Sequence, residues 1–261
     1  MKLNRIILFV CATALIVASS ACKKQGDASG VAEIKNAGVL KVGVKSDVPG
    51  FGFFNTSTNQ YEGFEIEIAK LIANEIVGAG NNVKFDPVTA KTRGPLLDNG
   101  ELDMIIATFT ITDERKLTYN FSTPYYTDAV GMLVKRSSGI ASLADLDGKT
   151  IGVAQSATSK EAIDAAAKAI GVTLKFAEFS TYPEIKAALD SGRVDVFSVD
   201  KSILNGYLDD ETVILPDEFS PQPYGVTTKL SNKALAENVD SLIQKWLADG
   251  TISGLIARFN L

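Results

Sequence analysis

Apolar runs of strand length alternate along this chain with stretches of helical period. VLKVGV (39–44), NVKFDPV (82–88) and LDMIIAT (102–108) read as strands, GFEIEIAKLIANEIV (63–77) as an amphipathic helix, and another helix is expected from about Pro95. The order is βαβαβ, the rhythm of an α/β sheet. It restarts with KTIGVAQ (149–155), SKEAIDAAAKAI (159–170), VTLKFAEF (172–179), YPEIKAALDSG (182–192) and VDVFSVD (194–200). The halves share a fragment: LDNGELD (97–103) matches LDSGRVD (189–195), so two similar lobes are expected.

In each copy the strand after the shared Asp reaches its carboxyl end at a polar residue, Thr108 in the first and Asp200 in the second. Ligands of open α/β sheets lie outside the carboxyl ends of strands, so these two residues are expected to face one crevice from opposite lobes. AVGMLVK (129–135) leaves the first half, and PYGVTTK (223–229) leaves the second before an amphipathic tail, 232–259. A tail of that size needs a lobe to cover, and the first is the economical choice. The expected division is lobe 1 over 31–134 and 225–261 and lobe 2 over 135–224, with a hinge of two crossings near 135 and 224.

The first residues have a different pattern. A basic start, an apolar run from Ile6 to Ala18 and small residues before Cys22 have the layout of a secretory signal over 1–21, too short to anchor a chain across a bilayer. Ser19-Ser20-Ala21-Cys22 resembles the lipobox of bacterial lipoproteins, which implies acylation of Cys22; an ordinary cleaved signal leaving a free thiol is the alternative. Polar, small residues through position 30 read as a tether.

Composition narrows the function. Removing residues 1–21 takes away two cations and no acids, leaving 24 cations against 31 anions, a surface that repels nucleic acid. With no histidine and no cysteine pair in the mature chain, zinc sites and His-dependent triads are excluded. LDGKT (146–150) has Leu143 where a phosphate-binding loop needs glycine, so no nucleotide cradle is expected.

Candidate chemistry concentrates in a few cations. Arg93 precedes Pro95 at a helix start, where a cation opposes the macrodipole, so local helix stability does not explain it. Arg115 follows Thr112, Asp113 and Glu114, which suit an N-cap and first turn; the arginine itself is either a surface residue paired with Glu114 or Asp128 or part of an anion site. Lys45 stands at an equivalent strand end and is either solvated or a third cation of that site. Phe51 is core or a ligand platform, and Asp200 either caps the helix after it or faces the crevice.

GFEIEIAKLIA (63–73), TFTITDERKLTYNFSTPYY (108–126), DLDGKTIGVAQSATS (145–159) and the long tail together resemble the polar amino-acid family of bacterial solute-binding proteins, over the chain from about Val31. VGVKSDVP, AKTRGPLLDNG, ATFTIT, IGVAQSAT and FSVDKS are most similar to its aspartate- and glutamate-binding members. The resemblance implies a periplasmic-binding-protein fold of type II, two α/β lobes closing on one free amino acid and delivering it to an ABC permease. It implies an extracytoplasmic, lipid-anchored monomer without cofactor or enzymatic activity.

Residue by residue, the resemblance gives the ligand's α-carboxylate to Arg115, Thr110 and Thr158, and its α-ammonium to Asp200 with Thr108. The side-chain carboxylate goes to Arg93, Lys45 and Tyr182. Glu65, where many relatives carry Asp, is read as structural, and Gly50 departs from the family near Phe51. A buried zwitterion needs a guanidinium at one end and a carboxylate at the other, which Arg115 and Asp200 supply. A third, negative charge on the ligand would relieve the mutual repulsion of Arg93 and Lys45. A glutamine or other polar amino-acid binder is the alternative, and a cyclohexadienyl dehydratase-like enzyme on the same fold is a further one.

Overall fold

The structure, a computed structural model, describes residues 29–261; the signal, Cys22 and most of the tether lie outside them. Leu40–Val44, Val83–Pro87 and Met104–Ile106 form a parallel sheet core in the order second, first, third. Thr227–Lys229 adds antiparallel to the third, and Tyr119–Phe121 closes the edge. The second sheet repeats the plan: Lys175–Phe179, Thr150–Ala154 and Val196–Asp200 are parallel in the same order, and Tyr126–Lys135 adds antiparallel.

The shared fragment does the same work twice. Asp103 Oδ2 accepts from the Lys41 amide at 2.8 Å, and Asp195 Oδ2 accepts from the Thr150 amide at 2.8 Å, each tying the start of the third strand to the first. Each also donates its own amide across the same gap, Asp103 to Lys41 O and Asp195 to Thr150 O.

The crossing expected near 135 lies earlier. The whole strand Tyr126–Lys135 pairs within the second sheet, so the chain leaves the first sheet after Phe121 and returns between Tyr224 and Thr227. The two passages are laced together: the Ser122 amide donates to Val226 O at 2.9 Å, the Val226 amide to Ser122 Oγ at 3.0 Å, and the Tyr125 amide to Tyr224 O at 3.0 Å. This lacing brings Tyr125 and Tyr224 side by side between the sheets.

The helix Phe64–Val77 shows how the pattern becomes packing. Phe64, Ile68, Ile72 and Ile76 repeat every four residues and are buried, as are Glu65, Ala69 and Ala73 one position on. Burying each large apolar side chain contributes about 1.5–3 kcal/mol. Gly78 ends the helix in the left-handed conformation, its amide bonded to Asn74 O. The tail folds into two helices, Lys233–Ala248 and Thr251–Phe259; Leu235, Val239, Ile243, Trp246 and Ile252 join the same core. Elements without a place in the sequence reading include the helix Ser29–Ala37, which buries Ile34, the edge strand Tyr119–Phe121, and a small sheet of Asp47–Val48, Gly52–Asn55 and Gln60–Glu62.

Candidate functional site

Arg93 begins the helix Arg93–Asp98, two residues before Pro95, and its side chain is 3% exposed. Its Nη1 donates to Ala107 O at 2.7 Å and Thr108 O at 3.3 Å, carbonyls just past the end of the strand Met104–Ile106. The guanidinium lies over the Phe109 ring at 3.8 Å, and its buried Nε has no partner among the described residues. Buried donors are nearly always satisfied, so an unpartnered one marks a place for an acceptor.

Thr108 is a β-branched residue held at φ +44°, where such side chains rarely stay without compensation. Two buried charged groups hold it: Arg93 on its carbonyl, and Glu65, whose Oε1 accepts from the Thr108 amide at 2.6 Å. Glu65 Oε1 also accepts from Tyr125 Oη at 2.6 Å, while Oε2 and Thr108 Oγ1 are buried without partners among the described residues. Burial pushes the Glu65 carboxyl up to about 7 against the pull of these hydrogen bonds, Arg93 and Lys45.

Lys45, at the end of the first strand, is 2% exposed and pairs with Asp47 at 3.0 Å. Burial lowers its pKa and the Asp47 carboxylate opposes that. Its ammonium lies 4.4 Å from the centre of the Tyr182 ring, which comes from the second lobe. Tyr207 Oη donates to Asp47 O across the same gap, so the lobes meet here.

Asp200 ends the strand Val196–Asp200 and is 5% exposed. It precedes the helix Lys201–Asn205, yet its side chain makes no capping bond; it accepts from Tyr224 Oη instead. Burial raises its carboxyl to about 7, and both Arg93 and Arg115 pull it down. The two hinge tyrosines therefore each serve one buried carboxylate, Tyr125 that of Glu65 and Tyr224 that of Asp200.

Arg115 pairs with neither Glu114 nor Asp128. Nη1 donates to Thr110 O at 2.8 Å and Nη2 to Ser156 O at 3.1 Å in the second lobe, so one guanidinium spans both. Burial, chiefly, brings its pKa down to about 9. Thr112 caps its helix as expected, accepting from the Arg115 amide. Thr110 Oγ1 and Thr158 Oγ1, one from each lobe, both donate to Gln222 Oε1 at 2.8 and 2.7 Å. Thr110, Arg115, Thr158 and Gln222 line the wall of an open cleft of about 1090 Å³.

The candidates thus divide. Thr110, Arg115 and Thr158 border the cleft, while Lys45, Arg93, Thr108, Tyr182 and Asp200 form a buried cluster linked by charge. Phe51 is fully buried, edge-on to Phe64, Tyr126 and Tyr224, which is a core position behind the cluster. Gly50 beside it has φ +87°, a backbone reason for glycine.

Glu65, Tyr125 and Tyr224 of the cluster and Gln222 of the cleft wall lay outside the site expected from sequence, Glu65 having been read as structural. Glu65 was legible: it shares a helical face with Ala69 and Ala73, and an acid on an apolar stripe calls for a partner. Gln222 carries no local signal. Among the described residues no group of His, Cys, Asp and Glu is arranged to hold a metal, and no helix is long and apolar enough to cross a membrane.

Two α/β lobes with duplicated sheets, a two-strand hinge and polar groups meeting between them define the architecture of type II periplasmic binding proteins. Residues 40–261 match the bacterial extracellular solute-binding proteins, family 3, and the chain belongs to that family. It is similar to the ABC transporter glutamine-binding protein GlnH of Bacillus subtilis, 36% identical over 87% of this chain and 83% of the relative. The glutamine-binding protein of Geobacillus stearothermophilus is 40% identical over 77% and 76%, and the glutamate-binding protein GluB of Corynebacterium glutamicum 31% over 97% and 89%. A solved ABC-transporter periplasmic binding protein from Brucella ovis with glutathione bound superposes with a TM-score of 0.79 at 30% identity, covering 86% of this chain and 72% of that one.

Proposed function

We propose that the protein is the extracytoplasmic receptor of an ABC importer and binds a free acidic amino acid, aspartate or glutamate, between its lobes. Arg115 takes the α-carboxylate with the hydroxyls of Thr110 and Thr158, which turn from Gln222 to the ligand. Asp200 takes the α-ammonium, opposite in charge and in the other lobe. The free hydroxyl of Thr108 joins Asp200 at the α-ammonium, and Lys45, Arg93 and Tyr182 hold the side-chain carboxylate. The observation that carries the acidic reading is the buried Arg93 guanidinium with an unpartnered Nε, beside a second buried cation. Phe51 backs the site through Tyr126 and Tyr224 rather than touching the ligand.

Cys22 carries the lipid that tethers the protein to the membrane, the partner is the permease, and the receptor acts as a monomer without catalysis. Calorimetry with aspartate, glutamate and glutamine tests the reading: an acidic ligand binds more tightly than glutamine at pH 6. Tighter glutamine binding there sinks the acidic assignment. A glutamine receptor is the second reading, favoured by the Lys45–Asp47 ion pair, which already neutralises one cation, and by the two glutamine-binding relatives.

A further inference from the structure

The cluster proposed above to take the ligand's side chain holds two buried cations, Lys45 and Arg93, and two carboxylates, Asp47 and Glu65. Asp47 is committed to Lys45 at 3.0 Å. Glu65 is different: it is completely buried, its field reaches Lys45, Arg93 and Tyr182, and one of its oxygens has no partner among the described residues. Those three are the groups assigned to the ligand's side chain. With Glu65 ionised the four charges cancel and suit a neutral amide; with Glu65 protonated one positive charge remains and suits a carboxylate. Unbalanced buried charge is costly, so the ligand follows the proton.

We propose that Glu65 is the specificity-determining residue of the cleft, its proton deciding between acidic amino acids and glutamine. The inference rests on the amino-acid-receptor reading above. The geometry lets Glu65 exchange a proton without collapse. Oε1 keeps the Thr108 amide and Tyr125 Oη as donors in either state, and the unpartnered Oε2 is free to carry the proton. The carboxyl, lifted to about 7 by burial, is poised for this near neutral pH.

The groups facing Glu65 are the Thr108 amide, Tyr125 from the hinge, Arg93 from its helix and Lys45 from the first strand. Asp200 is also raised to about 7 and its charge acts on Arg93 and Tyr182, so it could carry a slope as well; Glu65→Gln, which leaves Asp200 in place, separates the two. Lys45 is another rival, since loss of its proton would also disfavour an acid at high pH.

The test is calorimetry of glutamate and glutamine from pH 5.5 to 8.5. The glutamate-to-glutamine affinity ratio is expected to fall at least about tenfold between pH 6 and 8, bounded by about tenfold per pH unit for one proton. Glu65→Gln, which retains the acceptor for Thr108 and Tyr125, is expected to flatten the slope and fix the ratio in favour of glutamate. Lys45→Met is expected to keep the slope, and sets Lys45 aside even if Glu65→Gln does not fold. A flat wild-type ratio overturns the inference while leaving the receptor intact, and so does a slope that survives Glu65→Gln or vanishes in Lys45→Met. Absence of binding by either amino acid at every pH overturns the receptor reading and this inference with it.

Discussion

Glu65 and Asp200 have the same chemistry and opposite employment. Both are buried carboxylates raised to about 7, both are bonded to a hinge tyrosine, and they belong to different lobes. Glu65 is anchored by a backbone amide as well, and through Thr108 it shapes the strand end beside Arg93. Asp200 ends a regular strand and has no amide bond from the helix it precedes. A carboxylate already spent on backbone tunes its neighbours; one held only by a phenol is available to a cation from outside. On the proposed reading, that difference separates a specificity group from a binding group.

The largest test of the contrast is Asp200→Ala. Stripping one partner from a buried charge pair costs about 2–5 kcal/mol, and the upper part of that range is expected here for aspartate, glutamate and glutamine alike. Calorimetry on the three ligands reads it, and a loss confined to one of them would place Asp200 at the side chain instead. Arg93→Ala is expected to cost the lower part of that about 2–5 kcal/mol range for acidic ligands and distinctly less for glutamine. An equal loss for all amino acids would move Arg93 to the α-carboxylate.

A smaller effect joins the two acids. Each has a folded pKa above its unfolded value, so between about pH 4 and 7 the folded state retains protons that the unfolded chain has released. Their contribution to stability is full below the unfolded pKa and is lost as pH rises through about 7. Without ligand, the melting temperature is expected to rise by several degrees from pH 7.5 to 5.5, at about 2–4 °C per kcal/mol. Glu65→Gln and Asp200→Asn should each remove part of the rise; a rise untouched by both assigns it to other groups.

Much of this was legible in the chain. The alternating runs located both sheets, and the duplicated fragment located the paired strand ends, because hydrophobic period and local repeats survive without knowledge of packing. Arg93 was recognisable as a cation with no local reason, though its carbonyl partners at Ala107 and Thr108 come only with the fold. The first crossing was misplaced because AVGMLVK is the end of a longer strand, and an apolar run does not say which sheet it joins. Glu65 was read as structural and left outside the site. Its actual partners, Thr108 and Tyr125, are distant in sequence.

The duplicated Asp residues give the finest comparison, since here the lobes should behave alike. Asp103 and Asp195 each accept the amide at the start of the first strand of their sheet at 2.8 Å, and both are only partly buried. Neither faces the cleft, so the strand ends that differ in chemistry rest on starts that do not. Replacing either by Ala leaves one amide without its charged acceptor, which costs about 1–3 kcal/mol of stability. Lys149 adds an ion pair to Asp195 at 3.6 Å, with both side chains well exposed, and such a pair adds little. Denaturant unfolding of Asp103→Ala and Asp195→Ala is therefore expected to show nearly equal losses with amino-acid affinity unchanged. A loss in one lobe several times that in the other would mean that the repeat is shared in sequence and geometry but not in load, and that one lobe holds the other in shape.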